Sequence, residues 1–234
     1  MPTTDALIPI TSHIDPAYLA VSGPAVFIDR DGVVNEQRTG KYVHSWRDFV
    51  FLPGAIDAFV ALAAAGLPTF VVTNQGGVGR GFLTARSLED IHDRMAALIR
   101  GAGGRLDAII HCPHSPESRC KCRKPRPGML HALAERFAVQ LDASTFIGDN
   151  VTDLEAGRDA GCETILVSTG EGRRSAERLG LQSLRGDAYP WTNAEYATPV
   201  RSNEMDGLVA TAPNLSSAVL HIIGTRQDRL SQRQ

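Results

Sequence analysis

No stretch of the chain approaches the roughly 18 consecutive apolar residues that a membrane-spanning helix needs. The first twenty residues, MPTTDALIPITSHIDPAYLA, have neither a basic opening nor an unbroken apolar core, so no secretory leader is expected and the expected location is the cytoplasm. Neither sign of charge dominates. With 24 Lys and Arg against 26 Asp and Glu, the formal net charge is -2, which gives no electrostatic reason for a nucleic-acid polyanion or an acidic membrane as partner. The expected partner is a small molecule, and the chain is read as a monomer. Cysteine is scarce too, at four residues. Three of the four fall between positions 112 and 122, a clustering that suits a metal better than a secreted disulfide framework. Internal repeats and low-complexity segments are also absent.

What is present is alternation. Short apolar runs bounded by turn residues recur at 24–29, 67–74, 106–112, 144–149 and 163–169, and read as buried strands. Between them lie segments of helical period at 54–65, 84–100, 128–138 and 153–160. Thr84 or Ser87 is placed to cap the second, and Gly101 to stop it. Strand-helix alternation implies right-handed crossovers and a doubly wound, Rossmann-like parallel sheet with helices on both faces. One domain is expected over 24–224, after a loose lead-in at 1–23 and before a frayed polar tail at 225–234. An irregular stretch at 184–206 interrupts it, before a short strand and a helix capped by Asn214.

Ligands of such sheets bind beyond the carboxyl ends of the strands, where this chain places Asp29, Asp31, Thr73, Asn74 and Asp149. Asp29 and Asp31, in DRDG, are two apart, so strand alternation aims both carboxylates into one space. One carboxylate would attack an electrophile, while the other, kept protonated by mutual repulsion, would deliver a proton. The alternative is an Asx turn with Gly32 supplying the bend. Thr73, with Asn74, Gln75 and the glycines of TNQGGVGRG behind it, could surround a phosphate with donors. Lys124 is a cation placed to neutralise charge on a transferring phosphoryl group, and Asp149 offers the hard oxygen that Mg²⁺ prefers. Each has a plain alternative: Thr73 as a turn cap, Lys124 as a surface charge, Asp149 as a helix cap.

The set DRDG, TNQ, RKP and GDNVTD resembles the four motifs of the haloacid dehalogenase superfamily of phosphatases, over about residues 24–170. The resemblance implies that Asp29 forms an aspartyl-phosphate, that Asp31 acts as acid then base, and that Thr73 and Lys124 steady the phosphoryl group. It further implies Mg²⁺ held by Asp29, the backbone carbonyl of Asp31, and Asp149, with Asp153 supporting the metal from outside. The short intervals between motifs leave no room for a cap domain before Thr73, so an uncapped site is expected.

In HCPHSPESRCKC, the residues Cys112, His114, Cys120 and Cys122 offer three thiolates and one imidazole for a closed tetrahedral site, which makes Zn²⁺ structural. A disulfide from Cys112 to Cys120 or Cys122 is the alternative, and His111 could replace His114 as ligand. Zinc would stiffen a loop without a core and hold Arg123 and Lys124 over the phosphate. A zinc loop before CRKPRPGML resembles the D-glycero-D-manno-heptose 1,7-bisphosphate phosphatases and, nearly as closely, the histidinol-phosphate phosphatases. By that resemblance Arg123 and the segment NEQRTGKYVHSW choose the substrate, with Tyr42, His44 or Trp46 as recognisers or merely as packing. That segment is longer than the family pattern, and Asn150, read as a substrate contact, replaces a lysine of the heptose enzymes. His92 and His131 are expected to face solvent, and Cys162 to be a small buried residue.

The expected function is therefore a Mg²⁺-dependent phosphomonoesterase acting on a sugar phosphate, most simply a heptose 1,7-bisphosphate. Histidinol phosphate is the alternative substrate. A zinc-stabilised binding protein without activity and a phosphotransferase remain as other classes.

Overall fold

The structure is a computed structural model and describes residues 10–15, 22–37, 42–181, 198–199 and 207–231. Strands β1 (Ile10–Ile14), β2 (Val26–Ile28), β3 (Thr69–Asn74), β4 (Ala108–Cys112), β5 (Thr145–Gly148), β6 (Glu163–Val167), β7 (Thr198–Pro199) and β8 (Leu208–Ala212) form one sheet in the order β1-β4-β3-β2-β5-β6-β8-β7. The six interior strands run parallel, while β1 and β7 add antiparallel edges. From β2 the chain builds outward through β3 and β4, then crosses to β5 and builds the other way. β2 therefore sits at the topological switch point of the sheet, where such folds bind their ligands.

Helices α1 (Ala55–Ala64), α2 (Gly76–Gly79), α3 (Ala85–Gly101), α4 (Gly128–Phe137), α5 (Val151–Asp159), α6 (Gly172–Arg178) and α7 (Leu215–Ser231) supply the two outer layers. Thr84 caps α3 by accepting from the Ser87 backbone N–H, and Asn214 caps α7 by accepting from Ser217 N–H at 3.0 Å. Strand alternation divides the core. Val26, Ile28, Val71, Ile109 and Ile147 face α1, α3 and α7, whereas Phe27, Phe70, Val72, Ile110 and Phe146 face α4 and α5. On that second face Phe27 stacks on Phe70 with centroids 5.7 Å apart and meets Phe146 edge-on at 6.5 Å.

Four expectations change. Ile10–Ile14, within the stretch read as a loose lead-in, pairs with β4. α7 runs on to Ser231, through most of the stretch read as a frayed tail. His92, expected in solvent, is 0% exposed, because it follows Leu88 by one helical turn on the buried face of α3. Asn150, not Asp149, N-caps α5, with Asp153 closing a capping box. His131 is exposed and Cys162 buried, as expected. Of the irregular stretch at 184–206, only Thr198 and Pro199 lie within the described residues.

The aromatic layer predicts a measurable cost. Phe70→Ala removes the ring that touches both Phe27 and Phe137, and should destabilise the domain by about 3–5 kcal/mol, read as a lower denaturant midpoint with unchanged slope.

Candidate active site

Register brings the site together. Ile28 of β2 pairs with Val71 of β3 and Ile147 of β5, so Asp29, Thr73 and Asp149 emerge side by side at one sheet edge. Asp29 donates its backbone N–H to the Ile147 carbonyl at 2.9 Å. Its Oδ1 lies 2.7 Å from Lys124 Nζ, and Asp153 Oδ1 lies 2.7 Å from the same nitrogen. Lys124 is 4% exposed, which removes the surface-charge reading. It also donates to the Val72 carbonyl at 3.0 Å. Asn74 holds the lysine from behind, its Oδ1 accepting from Lys124 N–H at 3.1 Å and its Nδ2 donating to the Lys124 carbonyl at 3.2 Å.

Asp29, Asp149 and Asp153 can bring carboxylate oxygens within 4.8 Å of one another. Burial, then the neighbouring carboxylates Asp29 and Asp153, pushes Asp149 well above the usual carboxylate range. Burial likewise pushes Asp29 up to about 7, with Lys124 opposing and Asp153 adding. Lys124 is held more firmly protonated than an ordinary lysine, since Asp153 and Asp29 outweigh the burial that opposes its charge. One cation among three buried carboxylates leaves the cluster short of positive charge, the donor chemistry that a hard dication satisfies. Asp153 is the least available of the three. One of its oxygens is on Lys124 and the other accepts from Asn150 N–H at 3.0 Å, consistent with support from outside.

Asp149 is positioned by residues that the sequence pattern did not flag. Its Oδ2 accepts from Glu171 N–H at 2.8 Å, and its carbonyl accepts from Ser175 Oγ at 2.9 Å. Gly32 and Gly170, at φ +90° and +57°, pass so close that a Cβ on either would collide with Asp149 Oδ2.

Asp31 differs from expectation. The sequence predicts a carboxyl kept protonated, yet Asp31 is held below the usual carboxylate range: burial acts to raise it and is outweighed by Arg30, Asn35 and Gln75. Arg30 grips it through two nitrogens, Asn35 Nδ2 donates to Oδ1 at 3.0 Å, and Gln75 Nε2 donates to Oδ2 at 2.8 Å. Gln75 also donates to Thr73 Oγ1 at 2.9 Å. Asn74, Gln75 and Asn150, named as substrate contacts, thus spend polar atoms on Lys124, on Asp31 and Thr73, and on capping α5.

The zinc-like cluster forms as its spacing suggested. Cys112 Sγ lies 3.4 Å from His114 Nδ1, 3.5 Å from Cys120 Sγ and 3.4 Å from Cys122 Sγ, and His114 Nδ1 lies 3.2 Å from Cys122 Sγ. All four cysteines are free, and these separations are far beyond the roughly 2.05 Å of a disulfide. They approach the edge of a tetrahedron of metal bonds about 2.0–2.3 Å long. Cys112 lies on the Phe27 face of the sheet, so the next-door His111 points the other way, toward His92 at 5.6 Å. That orientation excludes His111 from the cluster. Arg123 follows the cluster and donates to the His114 carbonyl at 3.3 Å.

At the mouth, Tyr42 stacks on Phe82 at 5.6 Å, accepts from Arg80 at 3.1 Å and rests against Gly77 of α2. His44 Nδ1 lies 2.8 Å from the Phe82 carbonyl, whereas Trp46 stacks on Phe49 and packs against the core. Arg80 and Phe82 carried no signal in the sequence beyond their place in the glycine-rich loop.

A doubly wound sheet whose switch point gathers two aspartates, a threonine, a buried lysine and a third carboxylate is the apparatus of phosphoryl transfer, which makes the chain a phosphoryl-transfer enzyme. A family model described as HAD-hydrolase-like matches residues 121–189. The D-glycero-beta-D-manno-heptose-1,7-bisphosphate 7-phosphatase of Pseudomonas putida is 41% identical over 153 residues, 65% of this chain and 87% of that protein. Its namesake in Escherichia coli K12 is 37% identical over 161 residues, covering 65% and 83%. A crystal structure of D,D-heptose 1,7-bisphosphate phosphatase from B. bronchiseptica, complexed with magnesium and phosphate, matches with a TM-score of 0.73 at 32% identity, covering 86% of this chain and 99% of that one. The chain belongs to the haloacid dehalogenase superfamily, in the branch that holds the heptose-bisphosphate phosphatases. No helix among the described residues is long and apolar enough to cross a membrane.

Gly170→Ala should push the Asp149 carboxylate from its place. Phosphate release is expected to fall on the order of 10- to 100-fold, with far-ultraviolet circular dichroism unchanged.

Proposed function

We propose that the protein is a Mg²⁺-dependent phosphomonoesterase that removes the 7-phosphate of D-glycero-D-manno-heptose 1,7-bisphosphate. The observation that carries the reaction is Asp29 beside the buried Lys124, with Asp31 fixed two residues on. The substrate rests on the names borne by the relatives. Asp29 attacks phosphorus in line, its Oδ–P bond forming as the bond from phosphorus to the sugar oxygen breaks. Asp31 passes a proton to the departing oxygen, then takes one from the water that hydrolyses the aspartyl-phosphate. At rest Asp31 is set for the second half, as an anion. A phosphate dianion arriving beside it raises its proton affinity, which serves the first half. Lys124 and Thr73 steady the transferred group.

Asp29, the backbone carbonyl of Asp31, and Asp149 would hold Mg²⁺, which offsets charge on the phosphoryl oxygens when bound. The three thiols and His114 fit Zn²⁺ in a closed, structural site, and the His114 carbonyl then steadies Arg123. Arg123 and Tyr42 are the side chains offered to the sugar and its second phosphate. Tyr42 rests on the first turn after the Thr73 strand, and Arg123 lies beside Gly76 of the same turn.

Asp29→Asn should abolish phosphate release, measured on heptose bisphosphate and histidinol phosphate in parallel with wild type. Full activity in the variant would refute the mechanism, and equal turnover of the two substrates would refute the substrate. Metal analysis should find about one zinc per chain, and a chelator strong enough to strip it should lower Tm. Zinc-free protein with Cys112, Cys120 and Cys122 titrating as free thiols would overturn that site.

A further inference from the structure

Behind Asp31 lies a charged network that the reaction above leaves unused. Arg30 is 1% exposed, and burying a guanidinium costs several kcal/mol unless its donors are met. Nε and Nη2 donate to Asp31 Oδ1 at 3.2 and 2.8 Å, and Nη2 also reaches Oδ2 at 2.9 Å. The remaining nitrogen, Nη1, lies 3.0 Å from His92 Nε2. Arginine has no acceptor, so His92 must turn a lone pair toward it, which places the imidazole proton on Nδ1. His92 is itself fully buried and anchored on the seventeen-residue helix α3.

The geometry has a mechanical meaning. A proton-transfer carboxyl must keep both its direction and the tilt of its plane, and Asp31 sits on a turn where backbone alone sets neither. The amides of Asn35 and Gln75 are neutral donors, and a two-pronged, charge-assisted grip is about twice as strong and fixes the plane as well. Without His92 the far nitrogen of the fork, Nη1, would be a buried donor lacking this acceptor. His92 ties it to a helix.

We propose that Arg30 and His92 are positioning residues for proton transfer by Asp31, with His92 fixing the guanidinium and the guanidinium fixing the carboxyl toward the leaving oxygen. The inference rests on Asp31 being the acid and base of the proposed reaction. In forming the phosphoenzyme, the proton travels from Asp31 to the sugar oxygen as the phosphorus–oxygen bond breaks. A sugar alkoxide needs that proton to leave, whereas p-nitrophenolate leaves without it. Loss of positioning should therefore depend on the leaving group, which general damage to the fold would not.

The test compares kcat/KM for the best sugar phosphate with that for p-nitrophenyl phosphate in His92→Leu, His92→Gln, Arg30→Lys and Asp31→Asn. His92→Leu should lose on the order of 10- to 100-fold on the sugar phosphate, by analogy with other outer-shell supports, and little on p-nitrophenyl phosphate. His92→Gln keeps an acceptor near the Nε2 position and should restore most of the loss. Arg30→Lys keeps the charge without the fork and should show the same pattern in a folded protein even where His92→Leu does not fold. If Asp31→Asn hydrolyses the sugar phosphate at the wild-type rate, the acid assignment itself fails. If Asp31→Asn shows the pattern while the His92 and Arg30 variants behave as wild type, or lose both substrates equally without rescue by Gln, the positioning role alone is overturned.

Discussion

The buried ion triad of Lys124 with Asp29 and Asp153 is the constraint on which the rest of the site depends. Three carboxylates at the ends of β2 and β5 and in the first turn of α5 would repel one another in a dry volume, and a single ammonium makes their proximity tolerable. That ammonium arrives from a loop, so its place has to be enforced. Asn74 grips its main chain from β3, the Val72 carbonyl accepts a hydrogen bond from its ammonium, and the cysteine–histidine cluster lies on the loop just before it. The same lysine thereby joins the carboxyl ends of β2 and β3 to the first turn of α5. Removing either carboxylate partner would break one of two buried ion pairs on the same ammonium, so the site and the fold share one interaction here.

Much of this was legible in the sequence, and the reason is local. Buried parallel strands announce themselves as apolar runs, and catalytic groups at their carboxyl ends follow from topology, which is how Asp29, Thr73 and Asp149 could be named before their geometry was known. The cysteine spacing was legible for a similar reason, since ligands two apart on a tight loop converge without help from distant chain. What escaped were features decided by partners far away. β1 is short and polar enough to pass for a lead-in until it finds β4. His92 shares the apolar face of α3 with Leu88, Ile91 and Met95, so its burial was readable from helical spacing, whereas its partner Arg30 was not. Asn74 pointed, by position, at the phosphate, and is instead clamped on a peptide group 50 residues away. The protonation of the aspartate pair also ran opposite to expectation. Repulsion between them was the only visible influence from sequence, while Arg30 lay between the two carboxylates with its direction unreadable.

The open mouth differs from the rigid floor. Below, Asp31, Lys124, Asp153 and Gln75 each hold two or more polar partners, the preorganisation that the proposed reaction needs. Above, Tyr42, Phe82 and Arg80 form a partly exposed cluster held by stacking and by hydrogen bonds that Arg80 makes to Tyr42 and Glu117. The proposed reaction chemistry and the proposed substrate contacts thus lie on differently bound parts of the chain.

β4 shows what such an arrangement demands of the chain itself. Its adjacent residues His111 and Cys112 serve opposite sides of the sheet, one facing the charged network behind Asp31 and the other the cysteine–histidine cluster. Register against β3, set by pairs such as Phe70 with Ala108, decides which goes where. A single inserted or deleted residue in this strand would exchange the two sides, sending a thiol among the buried charges and an imidazole among the thiols. The loop beyond it, which carries His114, Cys120 and Cys122, is bound by no such register.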